Sequence, residues 1–268
     1  METDSSQAGN AVIEAEDLEI TFPGNNWPIL SMVNFNVPET KITCVAGPSG
    51  IGKSTLMNVA IGRLKPSSGT MRVFDRVVHD ISNEELNELR KRMGVLYQSG
   101  ALFQDLTLIE NVMFPLVERE CASREEARDR AEDILHQVDI DSSAFGLTPD
   151  RLSGGQKKRG GLARALVTDP DLLLCDEPSS GLDPVTAQKI DQLVLRLHEE
   201  NPEQTVLILT HDLNSIRTIS DYIVFVHNHR EHPEFQSVRT SGPTQEVLNQ
   251  DDEVVQNFFH LNDPELAR

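Results

Sequence analysis

Gly47-Pro48-Ser49-Gly50-Ile51-Gly52-Lys53-Ser54 reads G-x-x-x-x-G-K-[ST], a spacing suited to gripping nucleotide phosphates. The glycines let the main chain turn tightly with its N–H groups facing inward, so a phosphate meets several donors and a helix N-terminus at once. Lys53 would set a cation against the β- and γ-phosphates, and the Ser54 hydroxyl would ligate Mg²⁺. Thr55 adds a hydroxyl on the α-phosphate side. A chance glycine-rich turn would lack the flanks found here, a strand-like apolar run over 41–46 and a helical pattern over 53–62.

Two further clusters fit the same chemistry. Leu172-Leu173-Leu174-Cys175-Asp176-Glu177 is a buried-strand pattern ending in two carboxylates. In a parallel sheet such acids emerge at the C-terminal end, where ligands bind. Asp176 suits the Mg²⁺ shell, and Glu177 is then placed to orient or deprotonate an attacking water. Leu152-Ser153-Gly154-Gly155-Gln156 opens a helix running through Leu162, Ala163, Leu166 and Val167. Ser153 and Gln156 form a capping box, and the two glycines leave bare backbone at a helix N-terminus. That is a second anion site without a lysine loop of its own, as half of a shared pocket would be.

The elements that must hold these clusters follow from the pattern. Strand-like runs fall at 18–22, 33–37, 41–46, 71–74, 172–176, 205–210 and 222–227. Ser123 and Glu126 make a capping box before Ala127, Ala131, Ile134, Leu135 and Val138 at helical spacing, so a mainly helical insertion is expected at about 102–157. Asp183 as N-cap and Pro184 at the first position announce another helix. Strands alternating with helices imply an α/β fold with a mostly parallel core sheet and a small N-terminal antiparallel β layer. The expected organisation is a disordered segment at 1–10, an ATPase domain at 11–241 and an acidic helical tail at 242–268.

Asp and Glu number 43 against 24 Lys and Arg, a formal charge of −19. Such a charge repels nucleic-acid phosphates and anionic lipid headgroups alike, which argues against a DNA- or RNA-working ATPase. No apolar run approaches the ~20 residues of a membrane-spanning helix. The polar first ten residues are unlike a signal peptide, and a cytoplasmic protein is expected. Cys44 and Cys175 sit in apolar strands, where buried free thiols are common.

With these motifs in order, the chain resembles the ABC ATPase family from about Val12 to Arg230. Residues 152–156 look like the ABC signature, and the resemblance implies ATP as substrate with Mg²⁺. It assigns Gln98 to the Q-loop, which touches Mg²⁺ and couples to a membrane subunit, and His211 to the switch position at the γ-phosphate. Ser180-Gly181-Leu182-Asp183 resembles the D-loop, and Phe22 matches the aromatic that stacks on adenine. The resemblance also implies a head-to-tail pair of subunits. The phosphate loop of one copy and Ser153, Gly154, Gly155 and Gln156 of the other would then enclose each ATP, with Asp183 of the D-loop also counted among the ATP-binding residues.

Gln98-Ser99-Gly100-Ala101-Leu102-Phe103, Glu110-Asn111-Val112, Phe114-Pro115-Leu116 and residues 157–165 are similar to the ATPases of Mce-associated, Mla-type lipid transporters. That implies a permease, an Mce-type lipid-binding component and a place on the cytoplasmic face of the inner membrane. Gln156 departs from the methionine common in that group. The rival within the class is an ATPase for lipoprotein, methionine or another small substrate. A non-transport ABC protein working on nucleic acid or ribosomes is the alternative from another class.

His227, His229 and His232 form H-x-H-x-x-H beside a polar turn, and a solvated hairpin is expected rather than a metal site. In the tail, Val247, Leu248, Val254, Val255, Phe258 and Phe259 can pack. They either cover their own domain or reach the second subunit, and the resemblance favours the second.

Overall fold

A computed structural model describes residues 10–24, 26–119, 122–227 and 236–259. In chain order the elements are β1 (Ala11–Ile20), β2 (Leu30–Pro38), β3 (Ile42–Ala46), α1 (Lys53–Ala60), β4 (Ser68–Val73), β5 (Arg76–Val77), α2 (Asn83–Lys91) and β6 (Met93–Leu96). There follow α3 (Leu108–Glu118), α4 (Arg124–Gln137), α5 (Gly154–Leu166), β7 (Leu172–Asp176), α6 (Pro184–Glu200) and β8 (Thr205–Thr210). The order ends with α7 (Leu213–Ile219), β9 (Tyr222–Val226), β10 (Val238–Pro243), α8 (Thr244–Leu248) and α9 (Glu253–Phe259). Two compact units result, one of Met1–Asn87 with Leu209–Arg268 and one of Glu88–Ile208.

In the first unit an antiparallel sheet runs in the order β2-β1-β4-β5. β1 is ten residues long and begins well before the strand expected from Leu18. Its alternation is broken where Glu16 and Asp17 are both exposed, because a bulge separates the pairs Ala15–Phe35 and Leu18–Val33. Asp17 takes a left-handed φ of 46° there, and the Asn34 side chain holds it, accepting from the Asp17 N–H at 2.9 Å. Beside this layer, β3 is buried throughout and pairs in parallel with β9, while β10 pairs antiparallel with β9.

The same unit answers how the tail packs. Phe259 is fully buried, with its ring 5.3 Å from Phe225 of β9 and edge-on to Phe258 at 4.9 Å. The Arg217 guanidinium donates to the Phe259 carbonyl at 2.6 Å. For Phe259 this corrects the expectation of a subunit clasp: the ring fills its own unit. His227 is described at the end of β9, whereas His229 and His232 lie outside the described residues.

In the second unit β6 and β7 pair in parallel, Gly94 opposite Leu173. The helices α3, α4 and α5 pack on one another, α5 running to Leu166 and so past the expected limit of about 157. The Ser123–Glu126 capping box is formed at α4. A second box, Thr107–Glu110, opens α3, and hydrogen bonds from the Thr107 hydroxyl and N–H hold the Glu110 carboxyl below its usual range. The fold is thus α/β, with an antiparallel N-terminal layer, mostly parallel core strands and a helical insertion. None of the described helices is long and apolar enough to cross a membrane.

Asn111, on α3, was quoted above only as part of a motif, yet it is wholly buried. Its Oδ1 accepts from the Phe103 N–H at 2.6 Å, and the two protons on its Nδ2 are shared among the carbonyls of Phe103, Leu106 and Thr107 at 3.0–3.1 Å. One amide therefore ties down the loop before α3. Asn111→Leu, close in volume, leaves those groups without their partner and should destabilise the protein by about 2–3 kcal/mol in a denaturant titration. An unchanged midpoint would show that the loop satisfies itself.

Candidate functional site

The phosphate loop joins β3 to α1 in the first unit. Gly50 and Gly52 adopt φ of 77° and 110°, a region costly for side chains, and Gly52 serves as the N-cap of α1. Pro48, Ser49, Gly50 and Ser54 are exposed, Ile51, Gly52 and Thr55 half-buried, and Gly47 buried. The Lys53 side chain is 5% exposed and curls back, its ammonium donating to the carbonyls of Gly47 at 2.8 Å and Pro48 at 3.1 Å. A cation is thereby stored over an open loop of main-chain donors at a helix start, the arrangement a polyphosphate fits.

His211 lies in the same unit directly after β8 and is exposed. The Asp212 carboxylate caps α7 through the N–H groups of Asn214 and Ser215, and the Asp212 N–H donates to the Thr210 hydroxyl at 3.0 Å. His211 is thereby confined to a rigid strand-to-helix corner. Phe22 is half-buried just past β1, while Trp27 in the following turn is 69% exposed.

The acidic strand end, Gln98, residues 152–156 and residues 180–183 all belong to the second unit. Asp176 ends the fully buried strand β7, and Glu177 follows with a left-handed φ of 49°; both side chains are nearly buried. Burial pushes the Cys175 thiol up to about 12, with Asp176 adding to the effect and Lys158 opposing it, so this thiol stays protonated and inert. The Gln98 amide donates to the Ser180 hydroxyl of the D-loop at 3.2 Å, joining two motifs 82 residues apart.

At α5, Ser153 caps the helix and its box with Gln156 closes in both directions, at 2.9 and 3.2 Å. Ser153 and Gly154 are exposed, Gln156 is half-buried and Gly155 is buried, so the helix start is open at Ser153 and Gly154 only. Asp183 caps α6 by accepting from the Thr186 N–H at 3.1 Å. Hydrogen bonds from the Thr186 side chain and backbone hold its carboxyl below the usual range.

Oxygen donors dominate the residues expected to hold a metal: the Ser54 hydroxyl, the Gln98 amide and the Asp176 carboxylate. Among the described residues no cluster of three or more His, Cys, Asp or Glu side chains forms a closed cage. Sparse hard donors suit Mg²⁺, which keeps most of its shell as water and substrate phosphate. Lys158, which the sequence offers only as part of the 157–165 segment, is 6% exposed, and its ammonium donates to the main-chain carbonyls of Gln98 and of Glu177, the latter at 2.9 Å. Only its place two residues past Gln156 could have flagged it.

Residues 30–180 match the family model described as ABC transporter. The intermembrane phospholipid transport system ATP-binding protein MlaF of Haemophilus influenzae is 37% identical over 92% of this chain and 90% of its own length. A probable ribonucleotide transport ATP-binding protein of Mycobacterium leprae is 36% identical over 92% of this chain and 68% of its own. Among solved structures, the dimeric post-hydrolysis state of the ATP-binding cassette MJ0796 with ADP and phosphate superposes with a TM-score of 0.75. It is 31% identical, over 87% of this chain and 98% of that one.

Proposed function

Because the chain belongs to the ABC transporter ATP-binding family, we propose that it hydrolyses ATP in pairs to drive phospholipid transport through an Mce/Mla-type permease. The stored Lys53 ammonium carries the ATP reading: a nearly buried cation resting on its own loop's carbonyls has a ready exchange partner in the β- and γ-phosphates.

In this reading the N–H groups of residues 47–55 surround the phosphates and Phe22 faces adenine. Ser54, Gln98 and Asp176 hold Mg²⁺, which neutralises phosphate charge when bound. Glu177 accepts the proton of the attacking water, and His211 contacts the γ-phosphate. Ser153, Gly154, Gly155 and Gln156 of a second copy, with its Asp183 corner, close over the nucleotide. The exposed Ser153 and Gly154 at the start of α5 support that pairing, as does the dimeric cassette with ADP and phosphate.

Support for a lipid cargo is the phospholipid-transport relative aligned over nine-tenths of its length, together with the Q-loop segment. The mycobacterial relative's name points to ribonucleotides instead, so the membrane partner decides. Exposed Phe103, Phe114 and Val117 follow the Q-loop in the same unit, with the two rings 4.7 Å apart, and offer such a partner an apolar footing. The proposed location is the cytoplasmic face of the inner membrane, peripheral through the permease.

Affinity capture of the full chain from detergent-solubilised membranes is expected to bring down a stoichiometric integral permease with an Mce-type component. A permease for methionine, lipoprotein or another small solute, or ribosomal material, would overturn the lipid reading and leave the ATPase reading standing. The latter has its own check: Lys53→Ala should weaken binding of a fluorescent ATP analogue by at least about tenfold.

A further inference from the structure

Lys158 is absorbed by none of the roles above, and its surroundings are unusual. A lysine 6% exposed inside a packed unit is costly unless something holds the charge. Here its ammonium donates to the carbonyl of Gln98, 60 residues away in sequence, and to that of Glu177, 19 residues away, at 2.9 Å. Burial draws its proton affinity down, while the carboxylates of Glu177 and Asp176 pull it back up. A residue needed only to fill space at this point would be apolar.

Both carbonyls belong to backbone that needs holding. Glu177 sits at φ 49°, a left-handed conformation disfavoured for a side-chain-bearing residue, and its carbonyl also accepts from the Ser180 N–H at 3.2 Å. The segment starting at Gln98 is gripped by the same face of α5, three residues further along at each step. A side chain at Gly161 would come within 2.8 Å of the Gly100 carbonyl, so the two backbones touch. Arg164 then donates to the carbonyls of Ala101 at 2.6 Å and Gly100 at 3.3 Å. Positions 158, 161 and 164 thus fix residues 98–101 to the signature helix, and Lys158 alone of the three also reaches Glu177.

We propose that Lys158 is a positioning residue for ATP hydrolysis, its ammonium holding the main chain of Glu177 in the conformation that aims the carboxylate at water and fastening it to the Q-loop. The assignment rests on the reading of Glu177 as general base. It makes the distance between the proposed partner-facing segment and the hydrolytic carboxylate a matter of one side chain.

The test compares Lys158→Met, Lys158→Arg and Glu177→Gln in the purified full-length protein, measuring kcat, KM and the Kd of a fluorescent ATP analogue. Lys158→Met, which keeps the length but cannot donate, should lower kcat at least about tenfold and change Kd less than about twofold. Lys158→Arg keeps a forked cationic donor and should return kcat to within about threefold of the wild type. A Met variant with wild-type kcat overturns the proposal, as does one in which affinity falls as far as turnover. An Arg variant no better than Met overturns it too. Failure of both variants to fold would make Lys158 a determinant of the fold and equally sink the positioning role. If instead Glu177→Gln turns over normally, it is the underlying base assignment that fails.

Discussion

Glu177→Gln should bind ATP with near-wild-type affinity and hydrolyse it at least about a hundredfold more slowly, the usual scale for removing a general base. Amide and carboxylate are nearly the same size, and the residue lies at the end of a buried strand with its backbone already set. Fold and nucleotide contacts should therefore survive while proton acceptance is lost. With ATP bound and unspent, the variant should also accumulate as a dimer in size-exclusion chromatography. Steady-state hydrolysis within a fewfold of the wild type would remove Glu177 from the chemistry.

Phe259→Ala should be among the most destabilising substitutions in the chain, by about 3–5 kcal/mol. The ring is fully buried against Phe225 and Phe258, so truncation loses its burial and leaves a cavity that α9, tethered by Arg217, cannot easily close. Thermal melting of the isolated protein should fall by roughly 10 °C, given about 2–4 °C per kcal/mol at this size. If the ring instead served only contact between subunits, monomer melting would not move and only dimer formation would suffer.

Features written in local chemistry could be read before any coordinates. The phosphate loop carries its own punctuation of Gly50, Gly52 and Lys53, and the capping boxes at Ser123 and Ser153 need partners three residues away. Asp183 and Pro184 mark the start of α6 in the same way. The first half of β1 is not legible in the sequence because Glu14, Glu16 and Asp17 dilute its apolar signal and a bulge at Glu16–Asp17 breaks the period of two. The Thr107–Glu110 box is equally local but lies among apolar neighbours that mask it.

What the sequence by itself determined is the inventory: a glycine-rich loop of the phosphate-binding pattern between a strand and a helix, two carboxylates at a strand end, a capped helix start carrying two glycines, and the α/β order that carries them. Tertiary structure alone decided what Asn111, Lys158 and Phe259 do. A buried amide, ammonium or ring takes its meaning from groups that chain folding brings to it, such as the carbonyls of Gln98 and Glu177 for Lys158. Burial strengthens those polar contacts and makes their loss expensive, yet it leaves no periodicity in the sequence to announce it.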